Sequence, residues 1–423
     1  MSKWDKKESL QQNKGSVWPN MGRGDLSQKR LGVHRRKRGD LSHDDHRKLV
    51  KADPKSDKYL SFIGSLDVRV NMDDVVRRED SKYYPALSMM ASKASYNNEA
   101  YLKTTVENYW KYQGKPTTQV LIALDKHEDR HTYVVAFRGT EPFEADAWCT
   151  DLDISWYGIP GVGRMHGGFM KALGLQKNVG WPKEIERDEN LPPLAYYVIR
   201  DILRKGLSEN DKAKFIVTGH SLGGALAILF GTILCLHNET LLLERLEGIY
   251  TFRQPRVGDG AYANYMRQKF KEHHVRYCRF VYCNELVPRL PYDDKEMMFK
   301  HFGTCLFFGT CPMNSRFSFI SSHILSSLFN IFQDVCVIYV LEEQWNKNYF
   351  SLCCVITMTY NAILEIIRSF IIVRQSGVYY REGWFLFAFR TIGLIILGVP
   401  AHGPQDYFNS TLLGKIEKHF KAD

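Results

Sequence analysis

A Gly-x-Ser-x-Gly pattern in this chain is typical of a catalytic turn. It is formed by Gly219, Ser221 and Gly223. An apolar run of β type, 215–218, precedes them, and a helical run of small residues, 225–234, follows. A serine on so tight a strand-to-helix turn needs glycine on both sides, because larger side chains would collide with the strand or the helix. Its hydroxyl then lies at a helix N-terminus, where free N–H groups favour a developing negative charge. The pattern predicts a serine that attacks an acyl carbonyl, rather than an ordinary glycine-rich turn.

A serine nucleophile needs a base to remove its proton and an acid to orient that base. In chains with this type of turn the base follows the acid, in a loop beyond the last strands. His402 lies in such a loop, rich in Gly and Pro, after the last apolar run, and His419 near the chain end is its competitor. Seven histidines follow the serine and are candidates on chain order alone: His237, His273, His274, His301, His323, His402 and His419.

The orienting acid should lie at a strand end between the serine and the base. Glu285 follows a β-type run and meets this condition. A glutamate is one methylene longer than an aspartate, and it can still accept the imidazole N–H if its loop lies further back. Asp293 and Asp294 are alternatives, and Glu285 could also be a surface carboxylate beside Arg289.

Strands and helices alternate along the chain around these residues. This rhythm predicts an α/β fold with a central, mostly parallel sheet flanked by helices. The pattern predicts strands over 120–124, 132–137, 248–252 and 275–283, and helices within 83–112, 191–206 and 262–273.

Charge and composition divide the chain of 423 residues in two. Residues 1–58 carry 16 Lys and Arg against 8 Asp and Glu, and this net charge of +8 is most of the +10 of the whole chain. We expect a basic, disordered tail over 1–58, which an anionic membrane surface could attract, and a globular domain over 59–423. Basic residues are not interleaved with aromatic ones, which argues against nucleic-acid binding.

The cysteines and the start of the chain bear on its compartment. The 9 cysteines are scattered and form no Cys-x-x-Cys pair, so we expect reduced thiols, a cytosolic setting and no zinc site. The first residues are polar, and no secretory signal is visible there.

An apolar stretch follows the predicted strands. We interpret residues 306–345 as an apolar insertion in the globular domain, and we expect the apolar runs within 306–399 to form buried or amphipathic helices rather than membrane spans. Single charges interrupt the later runs, at Glu365, Arg368 and Arg390, and no run is a clean span of about 20 apolar residues.

Ten segments of the chain together resemble a known family. Five of them occur in the order seen in class 3 lipases: FRGT (137–140), HGGF (166–169), TGHSLGG (218–224), QPRVG (254–258) and LVPRLP (286–291). Five more resemble plant oil-body triacylglycerol lipases: SFIG (61–64), ALSMMASK (86–93), NKNYFSL (346–352), YREGWF (380–385) and PAHGPQDY (400–407).

The resemblance implies an α/β-hydrolase fold and roles for individual residues. It supports Ser221, Glu285 and His402 as the triad, with the amides of Leu222 and Thr140 stabilising the oxyanion. Residues 141–148 correspond to the lid of the family. Neither a cofactor nor a metal is implied.

The chain departs from the family pattern at four places, and one of them is an apparent insertion over 317–341. Arg253 stands where the family usually has glycine, and Glu285 stands where its aspartate falls. The basic tail replaces the hydrophobic N-terminal segment of the family.

The function implied is hydrolysis of triacylglycerol to fatty acids at an oil-body or lipid-droplet surface, on its cytosolic face and with a cytosolic fraction. The partners are then an acyl-ester lipid and a lipid surface. A phospholipase or galactolipase of the same fold is the near alternative. The alternative of another class is a non-catalytic protein of the lipid surface, which Arg253 and Glu285 favour.

Overall fold

The structure of the protein is a computed structural model. It describes residues 56, 59–66, 76–98, 100, 102, 111–112, 120–126, 131–140, 155–175, 180–185, 194–282, 285–291, 298–309, 337–341, 359–363, 365–367, 384–394 and 403–413. The chain divides into two compact units, residues 1–51 and 52–423, and every residue described lies in the second unit. The predicted basic tail over 1–58 lies almost wholly outside the described residues, and its boundary stays a prediction.

The central element of the described part is a sheet of eight strands in the order β1-β2-β3-β6-β7-β8-β9-β10. The five strands β3, β6, β7, β8 and β9 are parallel to one another, and antiparallel strands complete both edges. A separate hairpin is formed by β4 and β5. The strands are β1 Lys111–Tyr112, β2 Val120–Asp125, β3 Thr132–Phe137, β4 Trp156–Ile159, β5 Gly163–His166, β6 Lys214–His220, β7 Leu246–Phe252, β8 Arg276–Tyr282, β9 Thr304–Gly309 and β10 Val337–Leu341.

Helices of the described part connect these strands and cover the sheet. One helical stretch, at 359–363 and 365–367, precedes the helix Trp384–Ile392. The other nine helices are Phe62–Leu66, Tyr83–Ala94, Gly167–Leu173, Ala195–Ser208, Leu222–Leu236, Thr240–Arg245, Gly260–Glu272, Trp384–Ile392 and Pro404–Leu413.

The parallel strands are apolar on both faces because both faces are covered. In β3 and β6, Val135 and Val217 belong to a core shared with the helix Leu222–Leu236. Their neighbours Val134 and Ile216 belong to a second core on the opposite face. Side chains of a strand point alternately to the two faces, so a strand buried on both is a continuous apolar run, as the sequence has it. The predicted mostly parallel α/β fold is confirmed.

Two predictions of secondary structure are wrong. Lys111 and Tyr112, placed in the helical region 83–112, form strand β1 against β2. Within the apolar stretch 306–345, β9 and β10 are paired antiparallel strands rather than helices, and β9 adds to the parallel sheet beside β8. The periodicity of a short apolar run does not distinguish a buried strand from a buried helix. Here pairing with a neighbouring strand determines that these runs are strands.

The structure also bears on the question of a membrane span. No helix in the ranges described is long and apolar enough to cross a membrane. Most of 306–345, including 310–336, lies outside the described residues, so its interpretation as an insertion stays a prediction.

Candidate active site

Ser221 occupies the turn between β6 and the helix Leu222–Leu236. Its φ of 59° and ψ of −129° lie outside the regions that side chains ordinarily adopt. The N–H of Ser221 donates to the carbonyl of Phe252 at the end of β7, over 3.0 Å, which holds the turn against the neighbouring strand. Such strain at a residue that the surrounding structure fixes is typical of a functional position.

The glycines on either side of Ser221 permit close backbone contacts. A Cβ atom on Gly219 would lie 2.1 Å from the carbonyl carbon of Gly223. A Cβ atom on Gly223 would lie 2.1 Å from the carbonyl oxygen of Phe137, at the end of β3. Glycine is therefore required at both positions, as the sequence predicted, and the first turn of the helix packs directly on the segment that leaves β3.

This contact brings Thr140 to the same side of the sheet as Ser221, where the parallel strands have their carboxyl ends. Strands β3 and β6 are parallel, and Phe137 lies opposite Gly219 in their register. The chain therefore leaves β3 and β6 at the same level, at their carboxyl ends. Thr140 and Leu222 are both buried, each 6% exposed. The two predicted oxyanion donors thus follow adjacent strand ends, and Leu222 begins a helix whose N-terminal N–H groups favour negative charge.

Glu285 lies beyond the end of β8 and is fully buried. The hydroxyl of Tyr407, on the helix Pro404–Leu413, donates to its Oε2 atom. The guanidinium of Arg253, from the end of β7, forms an ion pair with its Oε1 atom. A surface carboxylate beside Arg289 is therefore ruled out: Glu285 is a buried carboxyl group with a partner on each oxygen.

Other histidines after Ser221 have structural roles or lie elsewhere. The ring of His237 bonds Tyr196 through Nδ1 at 2.8 Å and the carbonyl of Trp181 through Nε2 at 2.9 Å, and burial lowers its pKa. His273 and His274 lie before β8, at the opposite edge of the sheet from the serine turn. They are poor candidates for the base.

His301, like His237, has a structural partner. Its Nε2 atom lies 2.6 Å from the carbonyl oxygen of Pro288. Burial, together with the nearby guanidinium groups of Arg279 and Arg256, lowers its pKa well below the usual range. The predicted lid 141–148 lies outside the described residues. Five more predicted candidates also lie outside them: His323, His402, His419, Asp293 and Asp294.

A buried ionic cluster is linked to Glu285 through Tyr282 and Tyr407. No sequence pattern predicted it. Arg390 donates to Glu365 at 2.8 Å and to both carboxylate oxygens of Asp406, at 3.2 and 2.7 Å. Tyr282, at the end of β8, donates its hydroxyl to Glu365, and its N–H donates to the hydroxyl of Tyr407 over 3.1 Å. The single charges inside otherwise apolar runs were the sign of this cluster, because a buried charge requires a partner.

In the described part of the chain, no group of three or more His, Cys, Asp or Glu residues could hold a metal ion.

Comparisons with known proteins agree with the motifs. Residues 134–295 match the family described as lipase (class 3). The chain is 37% identical over 413 residues to a protein of Arabidopsis thaliana named triacylglycerol lipase OBL1, which covers 87% of this chain and 75% of the relative. A Nicotiana tabacum protein of the same name is 34% identical, covering 88% of this chain and 75% of its own. A solved structure of the Rhizomucor miehei triacylglyceride lipase matches 53% of this chain and 77% of its own, with 26% identity and a TM-score of 0.39. On the identity and coverage of the plant relatives, which confirm the resemblance in its motifs, this chain belongs to the class 3 lipase family.

Proposed function

We propose that this chain is a triacylglycerol lipase, a carboxylic ester hydrolase, with Ser221 as nucleophile, His402 as base and Glu285 as orienting acid. The observation that carries the proposal is the strained Ser221 turn at a helix N-terminus, between the ends of β3 and β7. A buried carboxylate, Glu285, follows β8 at the same edge. The plant relatives named triacylglycerol lipase support the substrate.

Covalent connectivity supports His402 as the base. It is bonded to Gly403, which is buried and begins the segment leading into the helix Pro404–Leu413. Tyr407 of that helix contacts Glu285 and lies three residues beyond Pro404, a rise of about 4.5 Å. This short connection from Gly403 to a partner of Glu285 supports a base at position 402.

In the proposed reaction, His402 takes the hydroxyl proton of Ser221 as the oxygen attacks the ester carbonyl. The carboxylate of Glu285 accepts the other imidazole N–H and stabilises the imidazolium that forms. The amides of Leu222 and Thr140 donate to the oxyanion of the tetrahedral intermediate. The imidazolium then returns the proton to the leaving glycerol oxygen, and water repeats the sequence on the acyl-enzyme to release the fatty acid.

The proposal is tested with the purified protein on emulsified triacylglycerol beside phospholipid and galactolipid. We expect fatty acid release to be fastest from triacylglycerol. The variant Ser221→Ala should release none and should not react with a fluorophosphonate ester probe. Hydrolysis of galactolipid alone would instead indicate the alternative substrate class, and continued labelling of Ser221→Ala would mean that another residue is the nucleophile.

We also propose that the enzyme acts at the surface of oil bodies or lipid droplets. The tail 1–58 has a net charge of +8, and each basic residue near an anionic surface contributes about 1 kcal/mol, which salt screens. The part of the apolar run 317–341 that precedes β10, residues 317–336, would bind by buried area, which salt does not screen.

A flotation assay separates these two contributions to attachment. Deletion of 1–58 should weaken droplet binding only at low ionic strength, and serine substitutions within 317–336 should weaken it at every ionic strength. Binding that needs the tail in high salt and ignores those substitutions would contradict the interfacial role of 317–336.

A further inference from the structure

The order of the strands determines where the base of the proposed triad must lie. The nucleophile follows β6 and the acid follows β8, and β7 lies between these two strands. Neighbouring strands are about 4.8 Å apart, so the two strand ends are separated by roughly 9.6 Å. An imidazole that bridges the serine and the carboxylate spans roughly 8 Å, two hydrogen bonds and the width of the ring. A base that bridges the two groups would therefore lie over the carboxyl end of β7.

The residue at that end of β7 is Arg253. It directly follows Phe252, whose carbonyl accepts the N–H of Ser221, and its own N–H donates to the carbonyl of Phe280 in β8 over 2.9 Å. Its φ is 59°, in the left-handed region that favours glycine. Its side chain is only 4% exposed, and it forms an ion pair with Glu285. A long cationic side chain thus occupies a backbone position suited to glycine, between the proposed nucleophile and the proposed acid.

We propose that Arg253 is a positioning residue that restrains this lipase, by holding Glu285 in an ion pair and by occupying space beside the base. This inference rests on the proposed triad. A guanidinium on the carboxylate offsets part of the negative charge that would stabilise the imidazolium in the transition state. Two charged or titratable side chains contact Glu285, Arg253 from the end of β7 and Tyr407 from the helix Pro404–Leu413, and the ring of His220, beside Ser221, lies 6.1 Å from the Tyr407 ring.

The test is the variant Arg253→Gly, which removes the charge and the volume and also suits the backbone angle. On a water-soluble ester, p-nitrophenyl butyrate, we expect kcat to rise about tenfold while KM changes little, which is less than the roughly 10²–10⁴-fold of a whole proton-transfer contribution because the base itself is retained. The fluorophosphonate probe should label Ser221 faster by a similar factor. Loss of a neighbouring positive charge favours the protonated base, so the acid limb of the pH–rate profile should move to higher pH.

Two further variants identify the cause of any change. Arg253→Gln keeps most of the volume without the charge, and it should move the acid limb while raising kcat less than Arg253→Gly does. His274→Gly is the matched control for backbone relief, because His274 also has a positive φ, 53°, but is exposed at the other edge of the sheet. It should leave both kcat and the pH profile unchanged.

The outcomes separate this inference from the proposed function. A lower kcat in Arg253→Gly, or an unchanged kcat with an unmoved acid limb, would overturn the role of Arg253 even though Ser221→Ala remains unlabelled. An equal gain in His274→Gly would assign the effect to the backbone and would also overturn it. Labelling of Ser221→Ala would overturn the proposed function itself, whatever Arg253→Gly does.

Discussion

Replacement of Tyr407 by phenylalanine removes one oxygen atom from a buried junction behind the proposed acid. The hydroxyl donates to Glu285 and accepts the N–H of Tyr282 over 3.1 Å. A hydrogen bond to a charged group contributes about 1.5–3 kcal/mol, and a buried donor that loses its acceptor costs about 1–3 kcal/mol. Both losses occur together, so we expect Tyr407→Phe to lower the free energy of unfolding by about 3–5 kcal/mol, a large part of the stability of an ordinary domain.

The loss of stability is measured by urea unfolding followed by tryptophan fluorescence, and the catalytic effect by kcat on p-nitrophenyl butyrate below the transition. Because Glu285 keeps the ion pair to Arg253 but loses a bond that orients it, kcat should fall about tenfold, far less than after removal of the acid itself.

Tyr282→Phe is the matched control for this variant. Its hydroxyl donates to Glu365, whereas its hydrogen bond to Tyr407 is made by the backbone N–H and its ring contact with Tyr407 lies 5.9 Å between centroids, and the substitution keeps both. It should therefore lower stability by about 1.5–3 kcal/mol and leave kcat unchanged. The reasoning is refuted if Tyr407→Phe unfolds within about 0.5 kcal/mol of the parent protein, the size of an ordinary surface substitution, or if Tyr282→Phe lowers kcat as much.

The remaining predictions concern the acid, the ionic cluster and a buried thiol. Glu285→Gln should lower kcat by about 10⁴, as loss of the orienting acid does in related triads, whereas Glu285→Asp should retain or raise activity; a near-normal Glu285→Gln enzyme would move the role to another carboxylate. Arg390→Met leaves Glu365 and Asp406 buried without their shared cation, and urea unfolding should show a loss of about 3–5 kcal/mol. Burial raises the pKa of the Cys235 thiol to about 12, so peptide mapping after iodoacetamide treatment at pH 8 should find it modified in urea and unmodified in the native protein; equal modification would contradict its burial.

The sequence by itself determined the local geometry of the nucleophile. The Ser221 turn is a short-range problem, because the collisions that require Gly219 and Gly223 involve the strand before it and the helix after it. The strands β3, β6 and β7 were also predictable, since a strand covered on both faces must be apolar throughout. Chain order was sufficient to propose Glu285 as the acid.

Only the tertiary structure decided which distant side chains meet. Arg253 and Glu285 were noted separately as departures from the family pattern, and only the adjacency of β7 and β8 makes them partners. Glu365 and Arg390 stood out as single charges in apolar runs, and their pairing with Asp406 depends on how three segments distant in sequence pack. Interactions between residues far apart in the chain depend on sheet order and helix packing, which hydrophobic periodicity within one segment does not specify.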